Sequence, residues 1–152
     1  MLKVILDTNV VVSATVFGGR VSLIIEDLLK SKYCLVVCNE FTKEVYRILV
    51  QKFNISFSLL EKIQNIFSTS DAVNIEEKFE YDPEQKELIT KLKQRDSKDV
   101  YLLELAFQSK TSVIVSGDKG LLGLNSLIQK QGDVDLKILK PSEFVTFLES
   151  IE

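Results

Sequence analysis

Short, nearly unbroken apolar runs, set between segments of helical period, constrain this chain more than any other feature. "LKVIL" (2–6), "YCLVVC" (33–38), "TSVIVSGD" (111–118) and "VDLKIL" (134–139) are the runs in question. A strand wetted on one face alternates apolar and polar residues, whereas a uniformly apolar run suits a strand covered on both faces. Residues 21–30 follow the first run with Leu23, Ile24, Leu28 and Leu29 at helical spacing, after a break at Gly18-Gly19. After the second run, Phe41, Val45, Ile48 and Leu49 place an amphipathic helix over about 40–53. Leu59, Leu60, Ile63 and Phe67 repeat the pattern over 56–68, and "AVNI" (72–75) reads as a short further strand.

The most polar stretch, "EEKFEYDPEQKELITKLKQRDSKD", contains Pro83, which can open a helix running to about residue 93. Another helix begins near Asp96 and carries Leu102, Leu103, Leu105 and Ala106. Pro141-Ser142 opens a last one. This β-α-β-α alternation predicts a three-layer α/β/α fold of Rossmann-like type, with a central parallel sheet. With 152 residues, no repeats and no linker, residues 1–152 are expected to form one domain.

Composition narrows the chemistry. The chain has no histidine, so histidine-based triads and general bases are excluded and a structural zinc site is disfavoured. Cys34 and Cys38 lie in apolar sequence and read as core thiols. No apolar run is long enough to span a bilayer and no basic-then-apolar leader follows Met1, so a cytoplasmic protein without a membrane partner is expected. The net charge of −3 carries no nucleic-acid signal of its own.

What remains is carboxylates. Two strand runs end on an acid, "VILD" at Asp7 and "VIVSGD" at Asp118. In a parallel sheet the carboxyl ends of strands share one edge, where ligands bind. Asp96 and Asp99 stand three apart near a helix start, and Glu44 lies beside the apolar face of its helix. Each has an ordinary explanation: helix caps for Asp96 and Asp99, a solvated position for Glu44, a turn for Asp118-Lys119-Gly120. As a group they are harder to explain. Two charges about 4 Å apart repel by roughly 4 kcal/mol at an effective dielectric near 20. A cluster therefore needs protons or a cation, and oxygen-only donors suit Mg²⁺ or Mn²⁺.

"ILDTNVVVSA", "NEFTKEVYRIL", "RDSKDVYLLELA" and "VIVSGDKGLL" resemble, in order, the four acidic motifs of PIN domains. That family comprises metal-dependent ribonucleases, many of them toxins of toxin–antitoxin pairs. The resemblance implies that Asp7, Glu44, Asp99 and Asp118 are the catalytic, metal-binding quartet, with Asn9, Ser116 and Asp96 in support. Asn9 would orient Asp7 from behind. It further implies Mg²⁺ or Mn²⁺ as cofactor, an RNA substrate, a homodimer and a cognate antitoxin. Ser97, where relatives often carry proline, and Val100, at a frequently polar position, depart from the pattern without removing an acid. Lys43, Arg47, Arg95, Lys98 and Lys119 lie near the motifs as sources of positive potential. Two alternatives stay open: a phosphoacceptor or phosphatase-like domain acting through Asp7, and a PIN fold that only binds.

Overall fold

The computed structural model describes residues 1–132 and 134–151. Its centre is a parallel five-stranded sheet built from β1 (Lys3–Leu6), β2 (Cys34–Val37), β3 (Asp71–Ala72), β4 (Val113–Val115) and β5 (Lys137–Leu139). The strand order is β3-β2-β1-β4-β5. Val4 of β1 pairs with Leu35 on one side and Val113 on the other, and Leu6 pairs with Val115. Val4, Ile5, Leu6, Ile114 and Val115 have no exposed surface. Helices therefore cover both faces, which is why these strands read as unbroken apolar runs.

The chain winds outward from β1 through α1 (Thr8–Val16), a 3-10 turn (Arg20–Ser22) and α2 (Leu23–Leu29) to β2. It continues through α3 (Asn39–Arg47), a π-helical turn (Ile48–Lys52) and α4 (Phe57–Ser68) to β3. It then returns across the sheet by α5 (Pro83–Arg95), a second 3-10 turn (Ser97–Asp99) and α6 (Val100–Ser109), arriving at β4 on the other side of β1. α7 (Lys119–Leu122) and α8 (Asn125–Gln131) lead to β5, and α9 (Pro141–Ser150) follows it. Crossovers in opposite directions put α1–α3 on one face and α5–α8 on the other, whereas α9 comes back to pack on α2 and the first 3-10 turn. The packing agrees: α1 contacts α2 and α3, whereas α5 contacts α6, α7 and α8. The direction of winding reverses between β1 and β4, which opens a crevice at their carboxyl ends.

Local chemistry fixes most boundaries. Ser56 Oγ accepts from Leu59 N at the start of α4, and Gln85 Oε1 accepts from Asp82 N at the start of α5, with Pro83 in its first turn. Gly18 and Gly19 both have positive φ (66° and 73°), so the break between α1 and the first 3-10 turn uses their freedom.

The structure departs from sequence-based expectation in four places. Residues 8–16 are helical although no helix was expected there. TNVVVSATV is rich in β-branched residues and buries Thr8, Val10, Val11, Val12 and Ala14, so it lacks both helix propensity and a polar stripe. Its helicity comes from packing. Residues 119–131 form α7 and α8 where only a turn at Asp118 was expected. The third strand is Asp71–Ala72 rather than 72–75, extended only by a bond from Val73 N to Val37 O. Asp96 does not open α6 itself. It caps the 3-10 turn, accepting from Lys98 N at 3.1 Å, and Asp99 becomes the residue before α6.

Cys38 is buried and Cys34 half-buried, and both are free thiols. Burial pushes the Cys38 thiol up to about 12, leaving it unreactive. Among the described residues, no single helix is long and apolar enough to cross a membrane.

Candidate metal centre

The crevice between β1 and β4 is where the acids gather. Asp7 follows β1 directly, and its backbone N–H bonds to Val115 O at 2.9 Å, continuing the ladder one residue beyond the strand. The residue is only 7% exposed. Oδ2 of Asp7 accepts a 2.7 Å hydrogen bond from the hydroxyl of Ser116, which lies just past β4 and has no exposed surface. The same hydroxyl oxygen accepts from Asp118 N at 3.0 Å. Asp118 in turn accepts from Leu121 N through Oδ2 at 2.9 Å, capping α7. One serine thus fixes the relative placement of two acids from different strands.

Asp96, Asp99 and Asp118 each offer a carboxylate oxygen within 4.8 Å of the other two. The first two come from the 3-10 turn that ends the long return crossover, and the third from the loop after β4. They are 22 and 19 residues apart from Asp118 in sequence, and the crossover alone brings them together. Asp7 and Glu44 stand outside this trio but near it. Asp99 is pushed up to about 7, mainly by burial, then by the charges of Asp7, Asp96, Asp118 and Glu44. Asp7 is likewise raised by burial. The Ser116 hydrogen bond opposes that shift, and the charges of Asp118 and Glu44 add to it. Five acids therefore share one field. Glu44, on α3, lines an open cavity with Lys43, Arg47 and Lys98.

Of the supporting residues, Ser116 holds Asp7 and Asp96 joins the trio. Asn9 does neither: it is exposed and makes no side-chain hydrogen bond to Asp7, so the orienting contact expected of it is made by Ser116. Three further residues went unnoticed in the sequence. Thr8 is 2% exposed, and its hydroxyl lies beside the Tyr101 phenol. Tyr101, two residues beyond Asp99, faces the same space. Burial above all, with the charges of Glu44 and Asp7, pushes its phenol up. Gly120 gives room to Asp118, because a Cβ there would lie 2.9 Å from Asp118 Oδ2 and 3.7 Å from Asp96 Cβ. The tight pairing of Asp118 with a glycine two residues on was the only sequence trace of this.

The donor set suits a hard divalent cation. All donors are oxygens, and none of the five acids forms an ion pair among the described residues. Oxygens around an octahedral Mg²⁺ lie about 3 Å apart when adjacent and about 4.2 Å apart when opposite, so carboxylates within 4.8 Å of one another would draw in around Mg²⁺ or Mn²⁺ by side-chain rotation.

Comparison with known proteins gives two results. A family model described as "PIN domain" matches residues 3–120, which include the acids of all four motifs. The fold is similar to that of a chain in the crystal structure of VapBC2 from Rickettsia felis bound to a DNA fragment from their promoter. The TM-score is 0.54 at 15% identity, and the match covers 91% of this chain and 98% of that one. A search of curated protein sequences found no match.

Proposed function

The chain belongs to the PIN-domain family, and on that premise we propose that it is a Mg²⁺- or Mn²⁺-dependent endoribonuclease, the toxin of a toxin–antitoxin pair. The observation that carries this reading is the convergence of Asp96, Asp99 and Asp118 within 4.8 Å at the switch point of a parallel sheet, with a buried Asp7 whose charge acts on Asp99. Asp7, Glu44, Asp99 and Asp118 would hold the metal, with Asp96, whose carboxylate lies within 4.8 Å of those of Asp99 and Asp118, in support. When bound, such an ion supplies an activated water and neutralises charge on the scissile phosphate. The chain's own residues do the positioning. Ser116 clamps Asp7 against Asp118, the 3-10 turn presents Asp96 and Asp99, and Gly120 leaves space for the Asp118 carboxylate. An acidic pocket thereby becomes a phosphate site, which removes the objection of a net charge of −3.

A phosphoacceptor role for Asp7 fits less well, since the residue is 7% exposed and one carboxylate oxygen is engaged by Ser116. The toxin assignment draws on the family and on the likeness to a chain of a VapBC2 complex. An antitoxin, a homodimer and a cytoplasmic location belong to the same proposal. An antitoxin arginine would suit the centre, because its planar fork pairs bidentately with carboxylates.

Cleavage of a single-stranded RNA by purified protein in Mg²⁺ or Mn²⁺, compared with EDTA, tests the activity. Thermal melts of the same samples test the metal: saturation at about a hundredfold over Kd adds about 2.7 kcal/mol. Co-expression with the adjacent open reading frame tests the partner, which should co-purify and suppress cleavage. Absence of both metal-dependent cleavage and any metal shift would overturn the reading.

A further inference from the structure

Lys43 and Arg47 on α3 and Lys98 in the 3-10 turn line one open cavity of about 470 Å³ together with Glu44. Glu44 in the cavity wall also acts by its charge on Asp7 and Asp99, so the cavity adjoins the acidic centre. All three cations are exposed, and none is engaged in an ion pair among the described residues. This is unusual next to so many carboxylates. Three cations against one acid leave the cavity wall net positive, while the neighbouring trio is negative. A surface that keeps its cations out of the acids it adjoins is suited to an anion that touches both, one part on the cations and one part on a metal held by the acids.

We propose that Lys43, Arg47 and Lys98 form a docking track for the phosphate backbone of single-stranded RNA, leading it from the open cavity to the acidic centre. The proposal rests on the nuclease reading for what lies at the end of the track. A polyanion of regularly spaced charges fits three separate cations better than a single phosphate does. Arg47 can engage one phosphate bidentately, and the two lysines act as point charges. Because the contacts go to phosphate, the track should be tolerant of base sequence. Each neutralised phosphate of a single strand contributes roughly 0.7 to the slope of log affinity against log salt concentration.

The test is fluorescence anisotropy with a labelled single-stranded 12-nucleotide RNA and full-length protein carrying Asp99→Asn, in EDTA, so that turnover does not interfere. Combining Lys43→Gln, Arg47→Gln and Lys98→Gln in that background should weaken binding at least tenfold and lower the salt slope by about 2. Lys130→Gln on α8, exposed and outside the lining of the cavity, is the control and should change neither quantity. These positions are exposed, so thermal melts should show the fold retained. Unchanged affinity and slope in the triple variant would overturn the track, as would no binding by the parent. A polyglutamate peptide that displaces the RNA at equal concentration would assign the surface to an acidic protein segment instead, and overturn the proposal. If RNA binds as described but the wild-type protein in Mg²⁺ cleaves nothing, the nuclease reading fails and the track survives.

Discussion

Ser116 and Asp7 are joined by a 2.7 Å hydrogen bond that crosses from the end of β4 to the end of β1. The two residues are 109 positions apart in sequence, and the bond is buried. It spans the one place in the sheet where the winding direction reverses. The serine also accepts from Asp118 N, so it couples the strand that carries Asp7 to the loop that carries Asp118.

Ser116→Ala should therefore destabilise the protein and impair the site together. It leaves a buried carboxylate oxygen and a backbone N–H unpaired, a cost of about 2 kcal/mol. Urea unfolding measures the loss, and RNA cleavage should fall with it. A variant with unchanged midpoint and unchanged activity would show the bond to be incidental.

Asp99 sets a pH dependence. Its carboxyl is raised from 3.8 to about 7, mainly by burial. An acid with a higher pKa in the folded than in the unfolded state favours folding when protonated. In metal-free buffer that stabilisation is fully present below about 3.8 and is lost as pH rises through about 7. The full shift would correspond to at most about 4 kcal/mol, and solvent screening at this half-exposed group reduces it to about 1–2 kcal/mol. Asp99→Asn should then melt higher than wild type above neutral pH, with the advantage vanishing near pH 4. An advantage that does not vary with pH would sink this account.

Gly120→Ala should displace the Asp118 carboxylate, since the new methyl would lie 2.9 Å from an oxygen already held by Leu121 N. The fold should persist, because φ at this position is not in the left-handed region and the clash is with a side-chain end. Mn²⁺ affinity, read by calorimetry, should fall about tenfold or more, as it does when residues behind a metal ligand are altered. Wild-type affinity would mean that Asp118 is free to move or does not bind the metal.

Asp7→Asn should lower RNA cleavage by at least about 100-fold while leaving stability equal or greater. The amide keeps an acceptor for Ser116 and removes a buried charge that burial and its neighbours disfavour. Glu61→Gln, an exposed acid on α4 outside the motifs, should be silent in the same assay. Activity in Asp7→Asn comparable to wild type would remove Asp7 from the mechanism.

Much of this protein was readable from its residues one at a time. Val4-Ile5-Leu6 and Val113-Ile114-Val115 declare buried parallel strands because both of their faces must be apolar, and the acids after them stand out against that background. The absence of histidine and the recurrence of aspartate at strand ends pointed to oxygen-only metal chemistry before any distance was known. What periodicity could not reveal was α1, whose run of β-branched residues is helical only because neighbouring elements bury most of it. Nor could it say which carboxylates meet. Motif likeness groups Asp7, Glu44, Asp99 and Asp118; in the folded chain Asp96 also comes within 4.8 Å of Asp99 and Asp118, while the charges of Asp7 and Glu44 act on Asp99. Those distances depend on strand order and on a 3-10 turn at the end of a long crossover. Both are decided by how the layers pack, which involves residues far apart in sequence and leaves no local periodic trace.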